Sequence, residues 1–177
     1  MIYIFIAPGF EEIEALATLD ILRRAELEVQ SVGVGGKTIT GSHGIPVVCD
    51  ITEAEVSADE LEMVILPGGM PGTLNLEKSP VVQKYIDFVL KQDLWLAAIC
   101  AAPSILGHKG VLEGKRVTCF PGYDTQLGNA RYTGDAVVQD GKLVTGKGPG
   151  AAIPFALKLV ECLISKERAD LLGAALQ

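Results

Sequence analysis

Histidine is the scarcest useful side chain in this chain: only His43 and His108 occur among 177 residues. A thiol is usually activated by a neighbouring imidazole, so a protease-like Cys-His mechanism has little to draw on. His43 sits in a Gly-rich stretch and His108 follows Gly107 near a helix end, and both read as surface residues. Neither stands at ligand spacing from a cysteine, so no metal site is expected. The four cysteines, Cys49, Cys100, Cys119 and Cys162, form no Cys-x-x-Cys pair and read as reduced thiols of a cytoplasmic protein. Basic clusters are also missing. Arg23-Arg24 stands alone in a chain of net charge −7, which disfavours nucleic acid as a partner. No apolar run approaches the ~20 residues of a membrane span, and Met1 to Phe10 lacks the positive start of a signal peptide.

What remains is a chain 49% hydrophobic, enough for one packed domain over residues 1–177. Short apolar runs alternate with helical patterns. Strands are expected at Ile2–Ile6, Glu28–Val34, Met63–Leu66, Leu94–Ile99 and Arg116–Cys119. Helices are expected at 11–25, 81–91, 103–110, 151–164 and 166–176. The Gly-rich, β-branched stretch 38–51 suggests a hairpin on the sheet edge, and Asp140-Gly141 joins a second hairpin, 136–138 with 143–145. This alternation predicts an α/β fold with a mainly parallel sheet covered on both faces. Ligands of such sheets bind at the carboxyl ends of strands, where three loops rich in Gly, Ala and Pro meet: 7–10, 67–71 and 100–103.

One of those loops carries the strongest chemical signal. The run Leu94-Trp95-Leu96-Ala97-Ala98-Ile99 leads into Cys100, then Ala101-Ala102-Pro103. Small neighbours and a helix-opening proline are the sequence shape of a nucleophile elbow, and a helix start favours a thiolate. Free cysteine is otherwise a small buried hydrophobe, so both readings stand. Gly68-Gly69 after a buried strand suits an oxyanion loop or a plain turn. With Ala101, Gly69 would supply the two N–H donors an oxyanion needs. Glu14 lies one turn into the first helix. If Glu11 and Glu12 face solvent, Glu14 turns inward, where low polarity raises its pKa and lets it donate to a thiolate. The alternative is a solvated first-turn carboxylate.

Four segments together resemble the ThiJ/PfpI superfamily, in particular its small single-domain branch that includes a Parkinsonism-associated deglycase. They are Gly9-Phe10-Glu11-Glu12-Ile13-Glu14, Leu66-Pro67-Gly68-Gly69, Ala98-Ile99-Cys100-Ala101-Ala102-Pro103 and Gly148-Pro149-Gly150. The resemblance implies a flavodoxin-like three-layer sandwich, akin to class I glutamine amidotransferases, and a homodimer. It implies Cys100 as the elbow nucleophile, prone to oxidation to a sulfinate, with a protonated Glu14 beside it. Gly68, Gly69, Ala101 and Phe120 take the oxyanion and substrate-binding positions. It implies cofactor-free action on small reactive carbonyls or glycated proteins. Redox sensing or chaperoning through Cys100 is the alternative, with a cysteine hydrolase or peptidase behind it. The departures are Ala101, where protease-like branches place a histidine, and Phe120, where the deglycase-like branch carries one.

Overall fold

The computed structural model describes residues 1–176. Along the chain the strands are β1 (Ile2–Ile6), β2 (Val29–Gly33), β3 (Thr38–Thr40), β4 (Pro46–Val48), β5 (Ile51–Thr52), β6 (Met63–Leu66), β7 (Trp95–Ile99), β8 (Arg116–Val117), β9 (Arg131–Tyr132), β10 (Val137–Asp140) and β11 (Leu143–Gly146). The helices are α1 (Glu12–Arg24), α2 (Gly72–Lys78), α3 (Pro80–Lys91), α4 (Pro103–His108), α5 (Ala152–Leu163) and α6 (Lys166–Ala175).

Seven strands form the main sheet in the order β10-β11-β7-β6-β1-β2-β5. All its pairings are parallel except the β10–β11 hairpin at one edge. The strands are apolar on both faces because both faces are covered. Ile2, Ile4 and Ile6 of β1 pack on one side with Leu22 of α1 and Phe155 and Leu159 of α5. Tyr3 and Phe5, one residue out of phase, pack on the other side with Tyr85 and Ile86 of α3 and Ile105 of α4. The period of two along β1 thus feeds two separate cores, and the architecture is the expected three-layer α/β sandwich. Among the described residues, no helix is long and apolar enough to cross a membrane.

Several local expectations are corrected. Residues 38–51 do not add a hairpin to the sheet edge. β3 and β4 make a two-stranded sheet of their own, and β5 alone reaches the main sheet, parallel to β2. The 116–119 strand stops at Val117 and pairs with β9 in another small sheet. Helix α2 is an unexpected element, because it has only seven residues and opens at Pro71-Gly72, which read as a turn. Helix α3 starts one residue earlier than its apolar pattern, with the Ser79 hydroxyl capping the Val82 N–H.

Candidate active site

Strands β1, β6 and β7 are neighbours in the sheet, so their carboxyl ends deliver the three small-residue loops to one place. Backbone bonds then lock the loops together. The Glu11 N–H donates to the Gly68 carbonyl and the Gly72 N–H to that of Gly9. Cys100 follows β7 with φ +66°, the left-handed region that an L-residue rarely adopts. Such strain persists only where surrounding bonds enforce it. Here the Cys100 N–H donates to the Gly146 carbonyl at 2.9 Å, and the Cys100 carbonyl accepts the Phe120 N–H at 2.8 Å.

Gly68 and Gly69 are glycine for physical reasons. A Cβ on Gly68 would lie 2.7 Å from both the Cys100 Cβ and the Glu14 Oε2. Gly69 has φ +91°, and its Cβ would strike the Glu11 nitrogen at 2.3 Å. Close approach of backbone to thiol and carboxyl is therefore built into this turn.

Glu14 is completely buried. Its Oε2 accepts the Gly68 N–H at 2.8 Å. Its Oε1 is buried with no partner in good hydrogen-bond geometry, and the Cys100 side chain and the charge of Glu11 also act on this carboxyl. Burial pushes the carboxyl up to about 7, against the pull of the Cys100 and Gly68 bonds. With Oε2 committed to an N–H, a carboxylic proton belongs on Oε1.

The sulfur sits between opposed influences. Burial pushes the Cys100 thiol up, and an ionised Glu14 adds to this through its charge and its hydrogen bond. The N–H groups of Ala101 and Gly69 pull it down. Of the two influences expected of a helix start, free N–H groups and the dipole, the N–H groups are the ones seen to act on the sulfur. Helix α4 has six residues and a correspondingly small dipole, so the two local N–H groups stabilise the thiolate. The effect of Glu14 reverses with its protonation, since a neutral carboxyl donates to the sulfur where a carboxylate repels it. Thiol and carboxyl titrate as a pair.

The four sequence candidates around the pair separate into two kinds. Gly69 and Ala101 present N–H groups to the sulfur. The Gly68 N–H is spent on Glu14 and that of Phe120 on the Cys100 carbonyl. Phe120 instead offers its ring, which is 43% exposed. The premise that Glu11 and Glu12 face solvent is wrong, because both are buried. Sequence reasoning missed their role. Glu12 Oε1 accepts the N–H groups of His43 and Ile45, and its Oε2 meets the His43 ring at 3.0 Å, fastening the β3–β4 turn beside the site. These bonds outweigh burial, which acts to raise the Glu12 carboxyl, and bring it down to about 2. The only cue was an unexplained third acid at the helix start. Both histidines are engaged away from the thiol, His43 with Glu12 and His108 with Glu77 at 2.6 Å.

The sequence profile described as the DJ-1/PfpI family matches residues 1–162. The chain is 39% identical over 168 residues to protein dj-1beta of Drosophila melanogaster, covering 93% of this chain and 90% of that protein. It is 34% identical over 162 residues to a Caenorhabditis elegans protein named glutathione-independent glyoxalase DJR-1.2, covering 90% and 86%. The solved structure of Toxoplasma gondii DJ-1, oxidized, superposes with a TM-score of 0.95 at 33% identity, covering 99% of this chain and 96% of that one.

Proposed function

The chain belongs to the DJ-1/PfpI family, and from that premise we propose that it is a cysteine-dependent, cofactor-free enzyme acting on small reactive carbonyls such as methylglyoxal, free or as protein adducts. The observation that carries this reading is the fully buried Glu14, anchored by Gly68 and left with one free oxygen for Cys100. A thiol and a carboxyl that share a proton can serve as nucleophile and acid without an imidazole. A relative named as a glyoxalase adds weight.

With the shared proton on Glu14, the thiolate rests against the N–H groups of Gly69 and Ala101. Its sulfur attacks the aldehyde carbon. The carbonyl electron pair moves to oxygen, which takes the Glu14 proton, and a hemithioacetal forms. The resulting carboxylate removes the proton on the former aldehyde carbon while the ketone oxygen takes up a proton, giving an enediol; the neighbouring carbon is then protonated as the hydroxyl next to sulfur loses its proton and becomes the thioester carbonyl. This isomerisation yields a thioester. Water cleaves it to lactate and restores the thiolate, so methylglyoxal plus water gives lactate with no net oxidation. Steady-state lactate formation without glutathione tests the scheme. Wild type should turn over and Cys100→Ala should not.

A second reading has its own support. The same two N–H groups suit the oxygens of a cysteine sulfinate, and a related structure was solved in an oxidized state. In that reading Cys100 is a redox sensor of the reducing cytoplasm, whose oxidation alters partner binding or holdase action. Oxidation-dependent holdase activity, with no lactate from either protein, would select it. A cysteine hydrolase is disfavoured, since both histidines are bound elsewhere.

A further inference from the structure

Beside the elbow runs a groove of about 330 Å³, lined by Phe120, Pro121, Lys147, Gly148, Pro149 and neighbouring small residues. Cys100 and Glu14 are not among its walls, so its role is distinct from bond making. Its two sides are nevertheless tied to the nucleophile. One side begins at Phe120, whose N–H holds the Cys100 carbonyl, and the other follows Gly146, whose carbonyl holds the Cys100 N–H. The groove therefore flanks the backbone that carries the Cys100 side chain on both sides.

The groove wall is apolar and in part aromatic. Phe120 is 43% exposed and is one of the groove walls. Its ring lies against Gly148, where an added Cβ would come within 3.0 Å of the ring edge. Glycine at 148 is what lets the ring lie there. The one cationic wall residue, Lys147, turns its ammonium to the Gly134 carbonyl at 3.0 Å. The volume is at the small end of ligand sites, which suits one ring and not a polymer.

We propose that this groove is the subsite for the substituent of the carbonyl substrate, and that Phe120 selects aryl over methyl substituents. The proposal rests on the carbonyl reading above and names its substrate class: α-oxoaldehydes bearing an aromatic ring, of which phenylglyoxal is the simplest. Covering an exposed phenyl face with a second ring removes apolar surface from water and adds an aromatic contact.

The test is the ratio of kcat/KM for phenylglyoxal to that for methylglyoxal. Wild type should favour phenylglyoxal by about tenfold, the factor that ~1.4 kcal/mol of contact supplies. Phe120→Ala should collapse that ratio toward one, and Phe120→Tyr should restore it. A wild-type ratio of one or less, or a ratio unmoved by Phe120→Ala, overturns the proposal. A structural role for Phe120 would lower both rates together and leave the ratio alone. Binding separates this from failure of the chemistry. Acetophenone, but not acetone, should shift the amide resonances of Gly148 and Gly150 in wild type and not in Phe120→Ala. If neither aldehyde turns over while acetophenone binds in this way, the subsite stands and the carbonyl reading falls. If acetophenone shifts neither amide, the subsite is overturned whatever the turnover.

Discussion

At the scale of single residues, Glu14 can be tested by stability as well as by rate. Its carboxyl rises from an ordinary 4.5 to about 7 in the fold. Between those values the folded chain holds a proton that the unfolded chain has released. The stabilising contribution is therefore complete below pH 4.5 and is lost as pH climbs through 7, by up to ~3 kcal/mol. Glu14→Gln has no such group. Denaturant titrations at pH 4.5 and pH 8 should show wild type losing stability relative to the glutamine variant; a pH-independent difference would mark Glu14 as an ordinary solvated acid. Glutamine can still donate to the sulfur but cannot move a proton. The variant should abolish lactate formation while Cys100 stays open to alkylation. Cys100 itself should be the first of the four thiols labelled by limiting iodoacetamide, read by peptide mass spectrometry. Burial pushes all four thiols up, and beside an ionised Glu14 Cys100 is pushed furthest, so first labelling of Cys100 requires the carboxyl to hold the shared proton while the N–H groups of Ala101 and Gly69 face the sulfur. First labelling of any other thiol removes the basis of the mechanism.

At the scale of elements, the turn between β3 and β4 depends on one carboxylate. Glu12→Gln removes the charge from bonds to two N–H groups and an imidazole, and charge-assisted bonds are each worth ~1.5–3 kcal/mol. The amides of His43 and Ile45 should exchange with deuterium faster in the variant, while those of β1 and β7 keep their protection. In wild type the same release should come on acidification, because the Glu12 carboxyl is held down near 2 and its contribution fades as pH falls from 4.5 toward that value. This latch shows where sequence reading stops. The strands ending at Ile6, Leu66 and Ile99 were legible from apolar run length and the Pro, Gly or Ala that follow, and they alone place the site. Helix α1 was legible from its period. Which of Glu11, Glu12 and Glu14 points inward was not, because it turns on a segment some 30 residues away folding back on the helix start. Of the small β8–β9 sheet only β8 was legible, drawn two residues too long, because the two residues of β9 carry no period. The Cys100–Glu14 juxtaposition became a specific expectation only through family resemblance, since a first-turn glutamate is ordinarily solvated.

At the scale of the whole molecule, the exposed apolar surface is unevenly placed. Ile13 at the start of α1, Ile45 in the β3–β4 turn and Ile153 at the start of α5 are each about half exposed. Helices α1 and α5 pack together, and the Ile45 N–H is bonded to Glu12 of α1, so the segments that carry the three residues are neighbours around the start of α1. Single exposed isoleucines are ordinary, whereas a contiguous group of them marks an interaction surface. Self-association through this flank is the expectation carried by family resemblance, and the first helix is the element it should use. A two-fold contact would set each copy of Ile13 against the same surface of its partner, so one substitution acts twice. Light scattering at micromolar concentration should return twice the 18.7 kDa of the chain. Ile13→Glu should bring the mass to that of one chain without unfolding it, because Ile13 has little to lose from the core. The test also reaches the active site. Ile13 lies one residue from Glu14 and two from Glu11, whose N–H holds the Gly68 loop. If the dimer stiffens this turn, the monomeric variant should retain Cys100 labelling but lose carbonyl turnover. A dimer that survives Ile13→Glu would move the interface off this flank, and a wild-type mass of one chain would remove it altogether.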